Sequence, residues 1–137
     1  MVSEKAVWRN SQKEAKVKIK RIEFDFSIGK VEDYSQVNLE RDYCFIGRTD
    51  EEKSIVCPTK YVPDNIIECD KGWRAFRIEG ILDFSLTGIL SRISTLLADN
   101  GIGIFAISTY NTDYILTKKE VYSKALDILE KAGYEVV

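Results

Sequence analysis

Apolar and polar residues alternate from the start of the legible pattern. Val17 and Ile19 share one face, the phase slips at Lys20–Arg21, and alternation resumes as Ile22, Phe24, Phe26 and Ile28. A period of two predicts strands, and the slip predicts a bulge or a break. Residues 29–42 are polar, with Tyr34, Val37 and Leu39 as their few apolar anchors and too little periodicity for a helix. Residues 43–48 (YCFIGR) and 54–57 read as two strands joined by a charged turn. Thr49 and Glu52 have capping-box spacing, but an apolar strand follows at once, so a hairpin turn is the better reading. Pro58 ends the second strand because it has no N–H for a ladder. Residues 58–72 hold both prolines and read as a connector, with a short strand at Ile66–Cys69.

The second half is more regular. Trp73, Ala75 and Arg77 alternate with Arg74, Phe76 and Ile78, which predicts a strand that Gly80 stops. Ile89, Leu90, Ile93, Leu96 and Leu97 form one helical stripe. Ser85 or Thr87 would cap its start, and Gly101 would close it after Asn100. Ile102–Thr109 reads as a strand buried on both faces, residues 110–112 as a turn, and Asp113–Leu116 as the returning strand. Thr117 and Glu120 have the spacing of a capping box for a second helix. Its stripe is Val121, Ala125, Ile128 or Leu129, and Ala132; Gly133 closes it, and residues 134–137 form a last strand.

Residues 72–137 therefore spell βαββαβ, the ferredoxin-like order, with helices on one face of an antiparallel sheet. A faint repeat points to a second copy. Phe45–Thr49 and Ile55–Val56 precede Phe105–Thr109 and Ile115–Leu116 by sixty positions. The expected fold class is α+β: two ferredoxin-like units side by side, the N-terminal one degenerate, with missing or shortened helices. The expected divisions are a tail at 1–15, a degenerate half at 16–71 and a complete unit at 72–137. Trp8 is the one residue that would dock the tail.

Composition narrows the function. The chain has 137 residues, 20 Lys and Arg against 22 Asp and Glu, and a net charge of −2, which gives no basic footprint for nucleic acid. No apolar run approaches the roughly 18 residues that a membrane helix needs. The first sixteen residues have no apolar core and do not read as a secretory signal. Cys44, Cys57 and Cys69 are three in number, with no metal-ligand spacing. They are expected to be free thiols, buried or half-buried, in a reducing cytoplasm. With no histidine, the commonest general base and metal ligand is missing. No pair of titratable groups suggests catalysis, so no enzyme activity and no cofactor are expected.

Three motifs carry a resemblance: FRIEGILDFSLTGILSRIS, IFAISTYNTDYIL and RTDEEKSIVCP. Together they resemble the bacterial tandem ACT-domain proteins, relatives of the aspartate kinase regulatory domains and the CASTOR arginine sensors. The resemblance covers roughly residues 20–137. It implies paired ACT folds that sense a small ligand, typically an amino acid, at the junction between two such folds. Its ligand loop corresponds to Gly80, Leu82, Asp83, Phe84, Ser85, Leu86, Thr87 and Gly88. Its polar hairpin corresponds to Thr109, Tyr110, Asn111 and Asp113. No kinase domain is attached, so a free-standing module is expected, with a homodimer or a larger even assembly covering the open sheet edges and the face without helices.

The chemistry of these two turns suits an amino acid. A helix start offers free amides and a positive dipole end to a carboxylate, and Gly88 has no side chain to bar the approach. Asp113 would face the ammonium, and Tyr110 and Asn111 the ligand side chain. Structural readings stand beside these. Gly80 and Gly88 also suit plain backbone turns, Asp83 also suits the helix dipole, and Asp113 also suits capping of its own turn. A structural or partner-binding domain with no ligand is the alternative function.

Overall fold

The computed structural model describes residues 17–79 and 88–137. Its elements are β1 (Lys18–Val31), β2 (Phe45–Arg48), β3 (Lys53–Pro58), β4 (Ile66–Glu79), α1 (Ile89–Asp99), β5 (Phe105–Ser108), β6 (Asp113–Lys118), α2 (Lys119–Lys131) and β7 (Glu135–Val136), with a 3₁₀ turn at Thr59–Tyr61. Trp8 and residues 80–87 lie outside the described residues. The chain divides into two compact units, one of residues 23–74 and one of residues 17–22 with 75–137. β1 and β4 each contribute to both.

In the unit of residues 17–22 and 75–137, the sheet runs β7-β1-β4-β6-β5. It contains the expected βαββαβ run from β4 to β7, with the start of β1 standing between β7 and β4. β1 and β7 are parallel, Lys18 opposite Glu135, so this sheet is mixed rather than antiparallel throughout. The core joins Val17, Ile19, Phe76, Ile78 and Ile115 from the strands to Ile93, Leu97, Ala125 and Leu129 from the helices. Six of these aliphatic side chains, apart from Ala125, are completely inaccessible. Burying each contributes about 1.5–3 kcal/mol, so this interface fixes the helices on the sheet. The Tyr122 hydroxyl donates to the Ala75 carbonyl at 2.6 Å, which satisfies a buried polar group.

Both helices end in a Schellman motif. Gly101, at φ 74°, donates to Ala98, and Ile102 donates to Leu97. Gly133, at φ 104°, donates to Glu130, and Tyr134 donates to Leu129. The expected start of α2 is not formed, and Ser85 and Thr87, the expected caps of α1, lie outside the described residues. Gly88 occupies the N-cap of α1 at φ 89° with no side-chain cap, and Lys118 occupies that of α2. Thr117 is completely buried in β6, its hydroxyl donates to the Lys118 carbonyl, and α2 carries no side-chain cap.

In the unit of residues 23–74 the order is β2-β3-β1-β4. β3 is antiparallel to both neighbours, with Phe45 opposite Val56 and Phe26 opposite Pro58. No α-helix occurs here among the described residues; irregular segments 32–44 and 59–65 cover the small cluster of Val31, Ile55 and Cys57 instead. The sixty-residue echo extends to hydrogen bonds. Phe45 pairs with Val56 and Phe105 with Leu116; Thr49 donates to Glu52 at 2.9 Å and Thr109 to Thr112 at 2.8 Å.

Several local expectations are corrected. β1 runs unbroken across Lys20–Arg21, which excludes the break, while its buried positions change phase from Ile19 to Ile22 and Phe26, in keeping with the bulge alternative. β4 begins at Ile66, so half of the expected connector is strand; Gly72 lies within it at φ 84°. Leu39 is 65% exposed and anchors nothing. β5 is a four-residue strand, exposed along most of its length, with β6 as its one neighbouring strand among the described residues. Cys57 is buried and Cys44 partly so, but Cys69 is exposed on β4.

Candidate functional site

The first candidate locus is the β5–β6 hairpin. Ser108 and Asp113 face each other across the last ladder pair. The Ser108 hydroxyl donates to an Asp113 carboxylate oxygen at 2.5 Å. The Thr109 hydroxyl donates to the Thr112 carbonyl at 3.0 Å. These bonds let a short polar turn hold its shape without an apolar anchor. The Thr112 hydroxyl donates to the Ile78 carbonyl, which ties the turn to the end of β4. There the Arg77 guanidinium donates to Glu79 and to the Tyr114 hydroxyl, both at 3.3 Å. The Tyr114 hydroxyl beside it raises the Arg77 pKa. The structure thus gathers Ser108, Thr109, Thr112, Asp113 and Arg77 at one end of the sheet. Asn111 stands in the same turn, whereas the Tyr110 ring is fully exposed to solvent.

The second element of the expected site is the start of α1. Gly88 accepts the first helical bond, from Arg92 at 2.9 Å. No acidic side chain occupies the first turn of α1 itself. Gly80, Leu82, Asp83, Phe84, Ser85, Leu86 and Thr87 lie outside the described residues. Of the expected site residues, the structure therefore positions Gly88, Thr109, Tyr110, Asn111 and Asp113.

Sequence reasoning missed a second locus, in the unit of residues 23–74. A cleft of about 270 Å³ opens between residues 36–44 and 55–64. Its floor is Val37, Ile55, Cys57 and Val62, and its rim carries Arg41, Asp42, Lys60 and Asp64. The two framing segments are pinned at one end. Asn65 donates to the Asp33 carbonyl at 3.1 Å and to its carboxylate at 3.2 Å, while Glu32 N–H donates to the Asn65 carbonyl. Hydrogen bonds from Ser35 hold the Asp33 carboxyl below its usual range. The Tyr34 hydroxyl donates to Ser54 at 3.0 Å.

Aromatic rings organise the rim. The Arg41 guanidinium lies 3.8 Å from the Tyr61 ring centre. The Lys60 ammonium lies 5.0 Å from that ring and 4.9 Å from Phe24. Tyr43 packs on Phe24 and Phe26 and adopts φ 63°, an outlier for a bulky side chain. Burial raises the thiol pKa of Cys44 and pushes that of Cys57 to about 11, so both are neutral thiols near pH 7. The polar stretch of residues 29–42 hid this locus, because its only sequence signal was the failure to form a helix.

A model of the ACT domain matches residues 68–131, from β4 through α2. No curated protein matches the chain. Among solved structures, protein Atu0741 from Agobacterium tumefaciens is 30% identical, with a TM-score of 0.79; the match covers 89% of this chain and 92% of that one. VC0802 from Vibrio cholerae is 18% identical, with a TM-score of 0.75, and 93% and 98% are covered. The regulatory subunit of aspartate kinase from Thermus thermophilus is 12% identical, with a TM-score of 0.56, and 85% and 95% are covered. The last two likenesses show the fold. With the domain model on the βαββαβ run and 30% identity over most of both chains, this chain belongs to the ACT-domain family.

Proposed function

We propose that the protein is a non-catalytic regulatory module that binds an amino acid at the polar hairpin and the adjoining residues 80–88. The observation that carries this is the Thr112–Ile78 hydrogen bond, which fixes the hairpin at the end of β4, where residues 80–88 begin. Asp113 is the acceptor for the ligand ammonium, and its bond from Ser108 sets its orientation. The amides at the start of α1, after Gly88, are the donors for the carboxylate. Membership of the ACT-domain family and the likeness to an aspartate kinase regulatory subunit support the regulatory class.

Thermal shift against the twenty amino acids tests this. A ligand at about a hundred times its dissociation constant stabilises by roughly 2.7 kcal/mol. Asp113→Asn keeps an acceptor for Ser108 but removes the charge, and should weaken binding by roughly tenfold. Gly88→Val is a poor probe, because its φ of 89° strains any side chain there. If no amino acid shifts the melting temperature, the module acts without such a ligand, as a structural or partner-binding domain.

A further inference from the structure

We propose that the cleft between residues 36–44 and 55–64 binds a small monocarboxylate with an apolar body, at a site separate from the hairpin. Three features of the cleft define this ligand class. The floor is apolar, and the volume of about 270 Å³ lies near the lower end of small-molecule sites. The rim holds two cations on aromatic faces, Arg41 on Tyr61 and Lys60 between Tyr61 and Phe24.

Among the described residues, neither cation is spent on a carboxylate. A π face attracts a cation but accepts none of the hydrogen bonds that a guanidinium edge can donate. Both side chains are thus positioned with their donors free for an anion. Asp42 and Asp64 line the same cleft, so a doubly charged group would be repelled; a phosphate monoester carries about −1.5 to −2 at neutral pH. A single carboxylate is the anion that this balance admits. The cleft is also held in shape. The Asp33–Asn65 bonds pin its two framing segments, and Tyr43, with its ring packed on Phe24 and Phe26, fixes the backbone between Asp42 and Cys44.

Titration of the full chain with 4-methylpentanoate, followed by amide chemical shifts, is the test. The expected result is saturable shifts within residues 36–44 and 55–64, which 3-methylbutylamine does not produce and 3-methylbutyl phosphate produces only more weakly. Arg41→Gln and Lys60→Gln, both at exposed positions, should each weaken binding by about tenfold with the melting temperature unchanged. Tyr61→Leu, which frees both cations from their common ring, should do the same. No saturable shift at millimolar carboxylate would overturn the proposal, as would equal binding of the amine or indifference to Arg41→Gln. Shifts centred on residues 109–113 would place carboxylate binding at the hairpin, overturning this site and leaving the amino-acid reading intact.

Discussion

Cys57 shows how one residue's surroundings create a pH dependence. Its thiol is 2% exposed, and burial raises its pKa from 9.0 to about 11. The unfolded thiol ionises near its ordinary value, whereas the folded one stays protonated. From about pH 9 upward the unfolded state therefore holds fewer protons, and stability falls with rising pH until the folded thiol also ionises near 11. Cys57→Ala should flatten the drop between about pH 9 and 11 relative to the parent, while itself costing roughly 1 kcal/mol at neutral pH. Urea melts of both proteins across that range check this. Reaction with a thiol reagent at neutral pH should modify Cys69 well before Cys57, because Cys69 is exposed and Cys57 is buried and neutral.

Among the elements, the two helices are most sharply specified at their C-termini. Gly101 and Gly133 adopt left-handed φ values that a side chain makes costly, and each closes a pair of Schellman hydrogen bonds. Gly101→Ala and Gly133→Ala should each cost about 1 kcal/mol and lower the melting temperature by roughly 4 °C. Gly103→Ala is the control. It has an ordinary φ and no atom within 4 Å of an added Cβ, so it should shift stability by less than about 0.5 kcal/mol. Calorimetric melting of the three variants separates a conformational cost from a packing cost. The apolar stripe of α1 fixed its buried face, whereas that of α2 found Ala125 and Leu129, missed Tyr122 and Leu126 and included the exposed Ala132, and the start of α2 was misread. Thr117 has the right spacing for a cap but faces the core, which spacing alone does not reveal.

The whole molecule adds the question of its exposed strand edges. β5 is four residues long, ends its sheet and leaves Phe105 37% exposed; β2 ends the other unit's path with Ile46 39% exposed. Edge strands that carry exposed apolar side chains are templates for association. A homodimer joined through such edges is the expected state in solution. Sedimentation should give twice the chain's 15.7 kDa mass, and Ile46→Lys with Phe105→Lys should return it to one. A monomer for the parent at high concentration would refute that arrangement.

The sequence by itself determined the βαββαβ run, the two hairpins and the ACT-domain family. Those properties are written in short-range periodicity: alternating strands, two helical stripes, and the sixty-residue echo that returns as identical register. It also marked the TYNTD turn as polar and singular. Tertiary structure decided how long strands were shared, because β1 and β4 take their partners from distant segments that local pattern does not name. It decided that Ile102–Ser108 is mostly an exposed edge, since burial depends on what lies on the far side of a strand. It alone created the Arg41–Tyr61–Lys60 rim, because Arg41 and Lys60 stand nineteen positions apart and meet only where two irregular segments fold over the floor of Ile55 and Cys57.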